Sequence, residues 1–175
     1  MMTARTTPDG PLLDAAALRR SMGRYATGVT VVTTCGPEGK LEGVTANSFA
    51  TVSLDPPLVL WSLGRKSASF ARFHAASHFA VNVLGVGQMA LSRHFSTRQL
   101  DKFAGIEHHR GAGDCPVLAG TIAHFECVTE NVIEGGDHAI FIGRVLHASF
   151  RDGDPLVFAK GGYHRAVALV EEVPS

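Results

Sequence analysis

"LEGVTANSFATVSLDPPLVLWS", residues 41–62, reads as a strand, a turn and another strand. β-Branched and aromatic residues dominate it, and "DPP" (55–57) forbids regular structure and turns the chain. The odd feature is Thr45, Asn47 and Ser48, an amide and two hydroxyls inside an apolar run. A strand that only fills a core gains nothing from them, because an unpaired buried polar group costs free energy. On a regular strand Thr45 and Asn47 share a face and Ser48 points the other way, unless the strand bulges. Asn brings a donor and an acceptor, and Ser and Thr bring small hydroxyls. Such groups suit a flat heterocycle with alternating polar edges, or its phosphate tail.

Working outward, "TGVTVVTTC" (27–35) is β-branched and short, and "GPEGK" (36–40) is a turn, so 27–54 is expected to form a hairpin with a second strand over 41–54. Upstream, 14–25 has the period of a helix, with Asp14 as N-cap and Leu18, Met22 and Tyr25 on one side. Downstream, "LVLWSL" (58–63) is apolar throughout and reads as a buried strand. A helix is expected over 67–76, with Phe70, Phe73 and His74 together, then a strand over 78–84 and a short helix over 87–95. Two long strands, 120–133 and 137–150, flank "EGGD", and 154–169 adds one or two more. Strands joined by short turns, with no strand–helix–strand alternation, exclude a doubly wound parallel sheet. The expected fold is mainly β, an antiparallel barrel with small helices packed outside. One domain is expected over 14–170, with 1–13 as a flexible N-terminal segment and 171–175 as a tail.

The bounds agree with this. The 175 residues suffice for one real core, and 45% hydrophobic with 18% charged residues is an ordinary globular balance. Lys plus Arg equals Asp plus Glu at 16 each, which gives no global pull toward nucleic acid or anionic membrane. No apolar run approaches a membrane span, and the N-terminus has no apolar signal core. Cys35, Cys115 and Cys127 are widely spaced with no CxxC, which fits a cytoplasmic chain with free structural thiols. The nine histidines include no dense ligand spacing, so no metal is expected. His108 and His109 are adjacent and point apart on a strand. Glu126 and Glu130 read as a solvated strand face rather than an acid/base pair. GxSxG, GxGxxG and P-loop motifs are all absent.

"SLGRKSAS" (62–69) survives this filter. Ser62, Arg65, Lys66 and Ser67 all donate to phosphate, and the segment enters a helix whose N-terminal amides favour anions. The alternative is that Ser67 caps the helix while Arg65 and Lys66 are solvated.

"MGRYATGVTVVTT", "GVTANSFATVSLDPPLV", "VNVL", "DKFAGI", "GGDHAIFIGRV" and "PLVFAKGGYH" occur in this order over residues 14–168. Together they resemble the flavin reductase family, the small NAD(P)H-dependent reductase components of two-component flavin monooxygenases. The resemblance implies a split β-barrel, a homodimer, FMN or FAD at the barrel surface, NADH or NADPH as reductant, and a separate monooxygenase that receives the reduced flavin.

Carried onto this chain, the resemblance puts Thr45, Ala46, Asn47 and Ser48 along the isoalloxazine and ribityl chain. Ser62, Leu63, Gly64, Arg65, Lys66, Ser67 and Ser69 hold the flavin polar and phosphate groups. Asn82, Val83, Phe95, Lys102 and Phe103 close the pocket. His138, Gly162, Tyr163 and His164 approach the nicotinamide nucleotide, with His138 as a possible orienting residue. No catalytic side chain is otherwise implied, since the two cofactors carry hydride transfer. FMN against FAD and NADH against NADPH stay open. Two other readings also stay open: a split-barrel flavoprotein that retains its flavin, and a non-enzymatic flavin-binding module. The long strands 120–133 and 137–150 carry apolar residues on both faces, which separately points to a homodimer.

Overall fold

A computed structural model of the chain describes residues 14–99 and 101–169. The expected flexible segment 1–13 and tail 171–175 lie outside the described residues. Helix α1 (Ala15–Met22) starts at the expected cap, where the Asp14 carboxylate accepts the amides of Ala16 and Ala17. The strands that follow are β1 (Thr27–Gly28), β2 (Thr30–Cys35), β3 (Leu41–Ala46), β4 (Ala50–Leu54) and β5 (Pro57–Gly64). Helix α2 (Phe70–Ala75), β6 (His78–Val83) and helix α3 (Met89–Ser96) come next. The chain continues through β7 (His108–Arg110), β8 (Pro116–Leu118), β9 (Ala123–Gly135), β10 (His138–Phe150), β11 (Leu156–Ala159) and β12 (Gly162–Arg165).

Seven strands make one antiparallel sheet in the order β3-β2-β6-β9-β10-β5-β4. The single strand expected over 41–54 is therefore two strands, and they lie at opposite edges. Only Asn47, Ser48 and Phe49 join them. Edges six spacings apart in a flat sheet would be separated by about 29 Å. The connection reaches at most about 14 Å. The sheet must roll until its edges approach, and the residues at the split are the polar ones singled out above. The fold is mainly β, with a few small helices. The strand expected over 27–35 is likewise divided at Val29, and β1 pairs instead with β11 in a small β1-β11-β12 sheet.

β5 alternates rather than being buried throughout: Val59, Trp61 and Leu63 face the core, and Leu58, Leu60 and Ser62 are half-buried. Trp61 is enclosed by Phe141, stacked at 4.8 Å between ring centroids, and by Phe73 at 4.9 Å. Gly143 on β10 admits the Phe79 ring to this core, since a Cβ there would lie 2.3 Å from it. A second cluster, around Leu84, Phe95, Phe103, Leu118 and Leu156, lies beside α3 and the small sheet. The short β7–β8 pair carried no clear signal in the sequence.

The Glu126–Glu130 reading needs correction. A register shift in β9 between Thr129 and Asn131 separates the two faces. Glu126 is buried and accepts the Ala112 amide at 2.6 Å, whereas Glu130 is exposed and pairs with Arg144. All three cysteines are free. Burial pushes the Cys115 thiol up to about 11 and the Cys127 thiol to about 12, and both side chains are fully buried, which fits structural thiols.

Candidate functional site

The site begins at the split. β3 ends at Ala46, so Thr45 and Asn47 do not share a regular strand face. The Thr45 hydroxyl donates to the Ser92 carbonyl on α3 at 2.6 Å. Ala46 packs against the main core. Ser48 continues the β4–β5 register with its side chain: its Oγ donates to the Ser62 carbonyl (3.0 Å) and accepts the Ser62 amide (2.9 Å). A hydroxyl thus replaces two backbone groups where the strand has left the ladder. Asn47 is exposed, and its amide has no hydrogen-bond partner among the described residues.

Beside the split lies a cleft of about 380 Å³. It brings together six of the expected flavin residues: Thr45, Leu63, Ser67, Ser69, Phe95 and Lys102. Val44, Leu63 and Phe95 supply apolar wall, and Thr97, Arg98 and Gln99 rim the opposite side. Phe95 is 1% exposed and forms floor rather than a closing flap, while Phe103, packed edge-on against it at 5.3 Å, is buried and outside the lining of this cleft. Gly43 makes this floor possible: a Cβ there would lie 2.6 Å from the Phe95 ring. Lys102 is tied down by the Gly43 carbonyl (2.8 Å) and the Phe95 carbonyl (3.3 Å). Burial lowers its pKa, opposed by the nearby Glu42 carboxylate.

The structure adds two residues that sequence reasoning missed. Glu42, 6% exposed, accepts Ser69 Oγ at 3.0 Å and Arg72 Nη1, with Lys102 Nζ 3.8 Å away. It therefore joins β3, the start of α2 and Lys102 behind the cleft. Its signal was present: it is the one charge in 41–46 and shares the inward face with Val44. Arg72 is half-exposed, so one side of its guanidinium is held by Glu42 while the rest faces open space.

Other expected members lie elsewhere. Asn82 is fully buried; its Nδ2 donates to the Val31 carbonyl (3.1 Å) and Thr33 Oγ1 (3.2 Å), and its Oδ1 accepts the Leu118 amide (2.8 Å). Its amide latches β8 to the sheet and cannot touch a ligand. Val83 pairs between Thr30 and Ala123 in the same interior strand, outside the cleft. The helix-terminus argument for anion binding also lapses, because α2 has only six residues. Ser67 instead accepts the Ser69 amide at 3.3 Å. Arg65 pairs with Glu134 and lies 5.9 Å from the Phe70 ring centroid, while Lys66 is exposed.

The expected nicotinamide residues fall into two groups. His138 pairs with Gly64 across β10–β5, its ring 3.5 Å from where a Gly64 Cβ would stand, and bonds Asp137 Oδ1 at 2.7 Å. That bond holds the Asp137 carboxyl below its usual range. Tyr163 hydrogen-bonds Ser92 Oγ at 2.9 Å and is covered by Arg93. His164 bonds the Ala159 carbonyl across the β11–β12 turn, next to Gly162. No hydrogen bond or ring contact joins His138 to the 162–164 group among the described residues.

An open cleft with an apolar floor, hydroxyl and amide donors at its rim and a cation beside it fits a flavin. The chain matches the family model described as flavin reductase like domain over residues 22–166. It is 45% identical over 152 residues to the FMN reductase (NADH) SmoA of Agrobacterium fabrum, covering 87% of this chain and 86% of that one. It is 42% identical to the reductase component of the flavin-dependent trigonelline monooxygenase of Acinetobacter baylyi, covering 83% of this chain but 47% of that protein. The chain thus spans about half the length of some relatives. The solved NADH:FAD oxidoreductase SgcE6 of Streptomyces globisporus superposes with a TM-score of 0.85 at 40% identity, covering 90% of this chain and 95% of that one. The chain belongs to the flavin reductase-like family.

Proposed function

We propose that the protein is an NAD(P)H-dependent flavin reductase that supplies reduced FMN or FAD to a partner monooxygenase. The observation that carries this reading is the cleft beside the sheet split, where six family-implied residues meet. Relatives named as FMN reductase, FAD reductase and monooxygenase reductase components support it. When bound, flavin accepts hydride from the nicotinamide, and the cofactors supply that chemistry. The chain orients the rings. Leu63 and Phe95 offer a flat apolar support, Ser67 and Asn47 offer hydrogen bonds to polar edges, and Arg72 offers charge. Anaerobic mixing with FMN or FAD and then NADH or NADPH tests the reading. Loss of flavin absorbance near 450 nm is expected (a property of the flavin itself); its absence with every pair would sink it. Retention of one flavin per chain through gel filtration would favour a flavoprotein that keeps its cofactor.

Asn47 separates ligand binding from folding. Its exposed, unengaged amide predicts that Asn47→Ala leaves stability within about 0.5 kcal/mol. Loss of one or two ligand bonds costs about 1–3 kcal/mol, or roughly five- to 150-fold in flavin affinity. Titration beside thermal unfolding checks both halves. For His138, the exposed ring at the mouth of β10 supports contact with the nicotinamide nucleotide. His138→Ala is expected to raise the KM for NADH roughly tenfold with flavin affinity unchanged, and to lower kcat as well if the ring orients transfer. Unchanged NADH kinetics would leave His138 as a turn residue bonded to Asp137.

The homodimer expected from the sequence is supported by a groove of about 520 Å³ between β4 and the outer part of β9–β10. Edge strand β4 exposes Val52 and Leu54, and Phe150 is 86% exposed at the end of β10. An open, apolar strand edge of this kind needs cover. Sedimentation at micromolar concentration should give twice the chain mass of 18.6 kDa; a monomer would reject the pairing. Free cysteines support a reducing, cytoplasmic setting. No helix among the described residues is long and apolar enough to cross a membrane.

A further inference from the structure

Helix α3 packs between the flavin cleft and the small β1-β11-β12 sheet. Phe95 and Ser96 near its end line the cleft. One turn earlier is Ser92, which is 0% exposed and whose side chain is not part of the cleft lining. Its carbonyl accepts the hydroxyl of Thr45, a cleft residue, at 2.6 Å. Its own hydroxyl meets the Tyr163 hydroxyl on β12 at 2.9 Å. A serine inside a helix commonly bonds back to the carbonyl four residues earlier; Ser92 bonds across to another sheet. The chain Thr45–Ser92–Tyr163 therefore brings a phenol from the small sheet to within one residue of the flavin cleft. The Tyr163 ring is held by Phe158, edge-on at 5.5 Å, and by the Arg93 guanidinium, 5.7 Å from its centroid.

Two hydroxyls that share one hydrogen bond carry two protons, and only one lies between them. Ser92 is enclosed, and among the described residues its side chain has no other hydrogen-bond partner. If Tyr163 were the donor, the Ser92 proton would be buried without an acceptor, which costs free energy. Tyr163 is half-buried, so its proton has a way out. We propose that Ser92 donates to Tyr163, and that the phenol so held offers its own proton to the carboxamide oxygen of the nicotinamide stacked on the flavin. Ser92 is then a positioning residue for NAD(P)H, acting through Tyr163 and touching neither cofactor. This rests on the flavin reductase reading above. Hydride transfer needs the two rings held at reacting distance. Ser92 serves that need by tying a flavin-cleft residue and the nicotinamide donor to one turn of helix.

The test is steady-state NAD(P)H oxidation at saturating flavin, beside flavin fluorescence titration, in the wild type, Ser92→Ala, Tyr163→Phe and the double variant. Each single change should raise the KM for NAD(P)H about three- to tenfold, the range expected for one hydrogen bond. Ser92→Ala should cost no more than Tyr163→Phe, and flavin affinity should stay within about twofold in every variant. In the Tyr163→Phe background Ser92→Ala should add nothing further, since the group it acts through is already gone. A further rise there would overturn the proposal by giving Ser92 a route that bypasses Tyr163. An unchanged KM in either single variant, whatever happens to the thermal midpoint, would overturn it by leaving the hydroxyl pair as a structural clasp. A loss of flavin affinity as large as the rise in KM would overturn it by assigning Ser92 to the flavin cleft. Should Ser92→Ala fail to fold, Ser92→Cys, close in size and only a weak donor, replaces it with the same expectations. A wild type that oxidises NAD(P)H with neither flavin fails the reductase reading itself, and that is seen before any variant is made.

Discussion

Glu42→Ala is expected to lower stability by about 3–5 kcal/mol, the usual cost of removing one partner from a buried ion pair. In a chain of this size that is a fall of roughly 6–20 °C in Tm. The reason is Lys102. Its side chain is 12% exposed, and Glu42 is the carboxylate facing its ammonium. Without Glu42 a buried cation is left with two carbonyls and no counter-charge. Ser69 and Arg72 lose their common acceptor in the same step. Flavin affinity should fall as well, because these groups fix the wall of the cleft. The pair term can be isolated with a double variant. Glu42→Ala combined with Lys102→Met removes the orphaned charge and should recover part of the stability, so the two changes should be strongly non-additive. Urea denaturation of the four proteins measures this. Additive losses, or a single-variant loss under about 1 kcal/mol, would show that water screens the cluster.

Asn82→Leu separates folding from binding in the opposite sense to Asn47→Ala. Leucine has nearly the right volume but leaves the Leu118 amide and the Val31 carbonyl without their partner. Each buried group left unpaired costs about 1–3 kcal/mol. A total of about 2–5 kcal/mol is expected, read as a lowered denaturation midpoint with an unchanged slope. Flavin affinity of the folded fraction should stay within twofold, since the side chain is 0% exposed and lies outside the cleft. A tenfold loss of flavin affinity at unchanged stability would contradict the latch and return Asn82 to the ligand.

The contrast between these asparagines shows what reading residues one at a time misses. Asn47 and Asn82 both interrupt apolar strand sequence, and the family resemblance places both at the flavin. Tertiary structure divides them: one stands exposed at the split with no partner, and the other has a backbone amide and a carbonyl brought to it from β8 and β2. A buried amide with satisfied bonds and an exposed amide awaiting a ligand have the same local sequence signature. Lys102 shows the same ambiguity. The resemblance makes it a residue that closes the pocket, and in the structure its ammonium ties to the Gly43 carbonyl on β3 and the Phe95 carbonyl on α3.

What the sequence determined by itself follows from local rules. The mainly β class, the hairpin turns at "DPP" and "EGGD", the helix cap at Asp14 and the family all rest on short-range period, turn chemistry and ordered motifs. Only the tertiary structure decided that 41–54 divides into two strands at opposite sheet edges, that Glu126 is buried, and that Glu42, Ser69, Arg72 and Lys102 form one cluster. Those four come from three separate elements, 27 to 60 positions apart from Glu42 at the extremes. Local propensity has no term for such a meeting. It arises because three residues must bridge the two edges of a seven-stranded sheet, and the sheet meets that condition by rolling until those edges approach.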